Sequence, residues 1–263
     1  MSGQRDATGR GGRMLRRMGS YVLVLAGLGA LWKLAAATMG SAVLPDPGDA
    51  VAAFVLALGR ADWWGHFAAS SWRALAAMTL AWVLGFPLGI CLGSMPRLDR
   101  ALGPFVFLTY PIPKIVLLPV FLLVLGLGDA AKIGMITLIL WYQVLVTTRD
   151  GVKLVNRKYF DSVRSLGGGR WALWREVLIP AALPHGFTAL RLNTGVSVAV
   201  LFFVESFATT RGLGYLIMDA WGRLDYLEMF TGIFGMSILG AVLYEGSEGL
   251  ERLACRWRFA QRG

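Results

Sequence analysis

The chain alternates long apolar runs with short polar blocks, and the runs are too long for a soluble core. Apolar stretches occupy 21–39, the span between Arg73 and Arg97, 101–127, 130–148, 185–204 and 229–248. Each is long enough to cross the hydrocarbon of a bilayer as a helix, about 20 residues. The pattern therefore predicts an all-α integral membrane protein with six transmembrane helices. The shorter run 48–58 is amphipathic and is expected to lie at the interface or on neighbouring helices. Trp63 and Trp64 suit an outer aromatic belt. Pro111, Pro113 and Pro119 interrupt the third run, with Lys114 among them, and predict a kinked helix. The segment 205–228 is read as external, with Gly212-Leu213-Gly214-Tyr215 a tight turn or partial re-entrant.

One polar stretch is patterned. Between the fourth and fifth runs, 161–184 reads DSVRSLGGGRWALWREVLIPAALP. Trp171, Trp174 and Leu178 recur at i, i+3, i+7, an apolar stripe on a short helix within 161–176. Gly167, Gly168 and Gly169 allow a sharp turn before it. Pro180 and Pro184 mark the return into lipid. An oily face outside the membrane calls for a partner to cover it, or for lipid headgroups to lie on.

Composition agrees with a membrane protein: 56% hydrophobic and 16% charged, against about a quarter charged in soluble domains. The net charge of +10 sits in blocks between the apolar runs, at 1–20, at Arg97 and Arg100, in the loop 149–183 and at the C-terminus. That distribution follows membrane orientation and excludes nucleic acid as a partner. It places both termini and the 149–183 loop in the cytoplasm. The organisation is a basic tail at 1–20, a transmembrane domain at 21–252 and a basic tail at 253–263. Lys33, just before Ala35-Ala36-Ala37, fits a snorkelling residue of an uncleaved first helix better than a cleaved signal peptide. Cys91 and Cys255 form neither a disulfide framework nor a metal spacing.

The chain has no Gly-x-x-x-x-Gly-Lys-Ser/Thr phosphate loop, and Gly167-Gly168-Gly169 is followed by no Lys-Ser. No carboxylate pair, metal box or Ser/His/Asp arrangement is readable. The expectation is a transport subunit without its own ATPase site, binding no cofactor. Ionisable residues at membrane depth are functional candidates. Lys114 either faces an anion in the pathway or caps carbonyls freed by the prolines. Glu205 either gates the pathway or contacts a binding protein, or it is an interfacial carboxylate with an ordinary partner. Arg191 is assigned to phospholipid or the central loop. Glu245, Glu248 and Glu251 are expected to pair with nearby arginines.

The central stretch resembles the "EAA" loop of binding-protein-dependent ABC importer permeases. That loop runs Glu-Ala-Ala, three residues, Gly, nine residues, then Ile-x-Leu-Pro. Asp161, Ser162 and Val163 stand in the first places, Gly167 in the Gly place, and Val177, Ile179 and Pro180 in the last. Asp161 is one methylene shorter than the family's Glu. Leu44-Pro45-Asp46-Pro47, Pro111-Ile112-Pro113, Leu118-Pro119, Leu190-Arg191-Leu192, Glu205 and Gly212-Leu213-Gly214-Tyr215 resemble the nitrate/sulfonate/taurine-type permeases, in the right order. The resemblance implies a coupling loop through Asp161, Ser162, Val163, Gly167, Trp171, Trp174, Val177, Ile179 and Pro180. It also implies a second permease copy, two cytoplasmic ATPase subunits carrying ATP and Mg, an external binding protein and a bacterial inner membrane. The transported solute would be a small anion such as a sulfonate, taurine, nitrate or bicarbonate. A secondary transporter or channel without an ATPase, and a membrane scaffold, remain the other readings.

Overall fold

The computed structural model describes residues 23–24, 26–40, 44–207 and 209–257, and all regular structure among them is helical. The basic tail 1–20 and residues 258–263 lie outside the described residues. Helix α1 covers 26–39. It is followed by α2 (Pro47–Ala57), α3 (Ala61–Ser94), α4 (Pro96–Thr109), a 3-10 turn (Lys114–Leu117), α5 (Leu118–Leu125) and α6 (Asp129–Lys153). Then come α7 (Arg157–Ser165), α8 (Arg170–Leu192), α9 (Thr194–Glu205), α10 (Leu213–Gly222) and α11 (Tyr226–Ala254).

Three of these, α3, α6 and α11, are individually long and apolar enough to cross a membrane. Two bent pairs, α4 with Lys114–Leu125 and α8 with α9, make five if each is one span. Only part of the first apolar run is among the described residues, so the sixth span rests on the sequence.

The centre is the pair α3–α6, and glycine permits its closeness. Gly85, Gly89 and Gly93 recur every fourth residue on one face of α3. A Cβ on Gly89 would lie 2.7 Å from Thr148 Cβ and 2.8 Å from the Leu145 carbonyl oxygen; on Gly93, 2.6 Å from Val152 Cβ and 2.7 Å from the Arg149 oxygen. The two backbones are therefore in contact, which suits helices whose association draws little on the hydrophobic effect. This repeat was visible in the sequence and went unread. Gly89→Ala is expected to cost about 1–3 kcal/mol through forced separation of the pair, read as a lower Tm of the purified protein. Gly246→Ala, where a Cβ meets nothing within 4 Å, should leave Tm unchanged or raised.

Several elements extend further than the pattern implied. α3 begins twelve residues before Arg73, and its 34 residues reach about 51 Å, well beyond the ~30 Å hydrocarbon. Arg73 is therefore inside a helix, not at its edge. Trp63 is buried against Phe54 and Phe67 and belongs to the core rather than to an aromatic belt; Trp64 is half-exposed. α6 runs to Lys153, so Arg149 ends a span instead of opening a loop. It pairs with Asp99 at 2.5 Å, beside Lys153, which ties the start of α4 to the end of α6. Arg191 pairs with Glu251 at 3.4 Å and Glu248 at 3.9 Å rather than with the central loop. Glu248 also pairs with Arg252.

The third run does not merely kink. α4 and the following segment meet at 85°, because Pro111 and Pro113 each remove a donor and fix φ. The fifth run starts early: α8 passes through Pro180 and Pro184 into the bilayer-length helix and bends by 45° at Asn193. It tolerates the prolines by widening into a π turn at Trp174–Leu178, which relieves the clash of a proline ring with the preceding turn. The segment 205–228 contains α10, whose Leu213, Leu216, Ile217 and Ala220 are buried. It lies against α11, where a Cβ on Gly232 would come within 2.6 Å of Ile217. α2, capped by Asp46 with Pro47 in its first turn, also packs on α11. α1 joins them through Trp32, stacked on Phe230 at 4.9 Å.

Candidate functional site

The patterned loop between α6 and the fifth run is a helix, a tight turn and a second helix. Asn156 caps α7 by accepting from the Lys158 N–H at 3.0 Å. α7 ends in a left-handed turn: Gly167 has φ +79°, its N–H donates to Arg164 O, and the Gly168 N–H donates to Val163 O, both at 2.9 Å. This is the Schellman arrangement, in which the residue in the left-handed place is normally glycine. Gly168 is demanded for another reason: its Cβ would fall 2.5 Å from Val163 Cγ1. The spacing from Val163 to Gly167 is thus a helix end and its stop signal.

The stripe divides across this turn. Leu166 and Trp171 flank it and are 87% and 75% exposed. Trp174 is half-buried on the core, and Val177 and Leu178 are buried. Asp161 and Ser162 face solvent on α7, while Ile179 and Pro180 are partly buried in α8. The short helix expected after the glycines begins at Arg170, and a further helix, α7, precedes the turn. The stripe is not one outward face, because α8 continues into the membrane and turns its inner side to the bundle. The outward apolar pair is Leu166 and Trp171, with Tyr159 and Leu154 also exposed. Leu166 went unread because it precedes the glycines and lies off the period of the stripe.

At the α4–α5 bend, Lys114 Nζ donates to the carbonyls of Tyr110 at 2.8 Å, Thr109 at 3.2 Å and Ile112 at 3.3 Å. It lies 4.1 Å from the Tyr142 ring centroid. Three donors meet three carbonyls at the break, among them that of Thr109, which Pro113 leaves without its i+4 partner; this is the capping geometry. A cavity of about 260 Å³ beside it is lined by Tyr110, Ile112, Ile139, Tyr142 and Gln143.

Glu205 ends α9 fully buried. Its carboxylate accepts from Arg73 at 2.7 Å, the Gly214 N–H at 2.9 Å and the Ser70 hydroxyl at 2.8–2.9 Å. Ser70 Oγ in turn accepts from the Leu213 N–H at 2.7 Å. Arg73 also reaches Asp129 at 2.8 Å and the Arg211 carbonyl at 2.7 Å. The N-terminus of α10 thus delivers its free N–H groups to this cluster. The Gly-Leu-Gly-Tyr run is the cradle: Cβ atoms on Gly212 (φ +134°) and Gly214 would sit 2.5 and 2.7 Å from Glu205 atoms. Glu205 has ordinary partners, as a structural carboxylate would, and clasps α3, α6, α9 and α10 together. Arg73 as its partner had no local signal, since 132 residues separate the two. No cluster of three His, Cys, Asp or Glu that could hold a metal occurs among the described residues.

Comparison with known proteins agrees with this architecture. The chain is 33% identical to the taurine transport system permease protein of Escherichia coli over 74% of this chain and 70% of that one. A putative aliphatic sulfonates transport permease of Bacillus subtilis is 28% identical over 89% and 86%. The bicarbonate transport system permease of Synechocystis is 28% identical over 69% and 68%. The fold matches the inward facing methionine ABC transporter MetNI with a TM-score of 0.59 at 18% identity, covering 72% of this chain and 94% of that one. The family model for the binding-protein-dependent transport system inner membrane component matches residues 85–245, which contain the end of α3 that meets α6, the bend, the loop and Glu205 with its Gly212–Gly214 cradle; Ser70 and Arg73 lie before the match. The chain belongs to that family, the multi-pass permeases of ABC importers.

Proposed function

We propose that this permease lines a pathway with a second copy of itself and moves a small sulfonate-type anion inward, driven by two separate ATPase subunits. The carrying observation is the loop α7–turn–α8: two exposed apolar side chains, Leu166 and Trp171, on a turn fixed by Gly167. α8 continues from it into the fifth apolar run, so a push on the loop moves a span as a lever. ATP and Mg belong to the partners; this sequence has no phosphate loop of its own. An external binding protein, loaded with solute, biases the opposite end. The mechanism is a two-state equilibrium between inward- and outward-open arrangements, shifted by ligands at both ends. The basic blocks orient the termini and the loop to the cytoplasm.

The sulfonate assignment follows the relatives named for taurine and aliphatic sulfonates, which match more of this chain than the one named for bicarbonate. In proteoliposomes with the cognate ATPase and binding protein, taurine or an alkanesulfonate should accumulate only with ATP on the loop side. Bicarbonate should fail to compete. Uptake that persists without ATP would replace the importer by a secondary transporter.

A further inference from the structure

A cavity of about 790 Å³ opens where α3 passes into α4, opposite the loop. Its floor is apolar: Leu98, Phe160, Leu173, Trp174 and Leu178. Its rim carries three guanidinium groups, Arg97, Arg164 and Arg170. None of the three has an acidic partner among the described residues. Arg100, Arg157 and Lys158 are likewise without an acidic partner among the described residues but line no part of the cavity; several other cations at this end are paired. Arg149 and Lys153 are held by Asp99, Arg191 by Glu248 and Glu251, and Arg252 by Glu248.

The position is also specific. The rim begins right after the last turn of α3, and the floor includes the part of α8 that leads toward the fifth apolar run. An occupant there meets unpaired positive charge at the headgroup level and apolar side chains on the hydrocarbon side. A soluble anion would use the rim and leave the floor wet; a neutral lipid would use the floor and leave three arginines unanswered. The proposed ATPase contact lies elsewhere, because neither Leu166 nor Trp171 lines the cavity.

We propose that this cavity binds one anionic phospholipid, its phosphate held by Arg97, Arg164 and Arg170 and its upper acyl chain laid on Phe160, Leu173 and Trp174. Basic pockets at the membrane surface favour anionic headgroups for this electrostatic reason. The lipid would brace the loop against the α3–α4 junction.

The test uses the purified, delipidated permease alone and titrates phosphatidylglycerol or phosphatidylcholine of the same acyl chains, counting bound lipid by native mass spectrometry. One phosphatidylglycerol should bind in preference to phosphatidylcholine. Its affinity should fall roughly tenfold or more in the triple variant R97Q, R164Q, R170Q. The variant R157Q, K158Q, R175Q removes equal charge from the same loop outside the cavity and should bind like the wild type. Equal binding of both lipids, equal loss in both variants, or displacement of the lipid by inorganic phosphate would each overturn the site. A photoactivatable phosphatidylglycerol on the wild type gives an answer that needs no variant. Labelling within 160–174 is expected, and labelling confined to other segments would also overturn it.

Discussion

Arg73→Ala is expected to destabilise the protein by about 3–5 kcal/mol, since it leaves a buried carboxylate without its counter-charge. Glu205 would keep Ser70 and the Gly214 N–H but lose the cation that pairs with it among the described residues, at a fully buried position. Arg73 also holds the Arg211 carbonyl and Asp129, so the loop into α10 loses its tie to α3 and α6. Glu205→Gln should cost less, because an amide is cheaper to bury than a carboxylate and can still accept from Arg73. The decisive arm is the pair Arg73→Met with Glu205→Leu. Removing both charges should recover most of the loss, since burying an ion pair costs as much desolvation as it returns in attraction. Thermal unfolding in detergent of the wild type, Arg73→Met, Glu205→Leu and the pair gives all four corners of the cycle. A single-variant loss below about 1 kcal/mol, the level of an exposed pair, would show that the clasp does not hold this end together.

That clasp marks the limit of what the sequence could disclose. Apolar runs report burial in lipid or protein along a stretch, so α3, α6 and α11 were legible. Glycines before Arg170 reported a turn because only local backbone geometry was at stake, and Gly167 has the positive φ such a turn needs. The partner of Glu205 is a tertiary fact, carried by packing between helices far apart in the chain. Trp63 shows the same boundary: an amphipathic ring suits a membrane interface and a core equally, and only Phe54 and Phe67 decide between them. The prolines at 111 and 113 announced a break but not its angle, which the 3-10 turn and the Lys114 caps set. The Gly85, Gly89 and Gly93 repeat was a local signal, and a search for small residues every fourth position would have found it.

The loop supplies the second large effect. Leu166→Ala with Trp171→Ala should weaken binding of the ATPase subunit by about 2–4 kcal/mol, roughly 30- to 1,000-fold, while leaving Tm near that of the wild type. Both side chains stand largely clear of the protein, so truncating them opens no cavity; what they lose is a partner's pocket. Trp174→Ala should behave in the opposite sense. Its ring packs on the core cluster beside Phe160 and Leu178, so removal should lower stability by about 2–3 kcal/mol and affect the ATPase only through the weaker fold. The two variants therefore separate what an apolar period alone cannot: the side of a helix that meets a partner and the side that meets its own bundle. Co-purification with the ATPase, measured beside Tm for each variant, gives the separation. If Trp174→Ala abolished binding at unchanged Tm while the outer pair bound normally, the docking face would lie inward of the turn, toward the cavity beneath α8. The loop would then have to open before the ATPase could engage. With the outer pair as the dock, the turn at Gly167 can stay closed, and motion of the ATPase passes through α8 directly into the span that carries Glu205 at its far end.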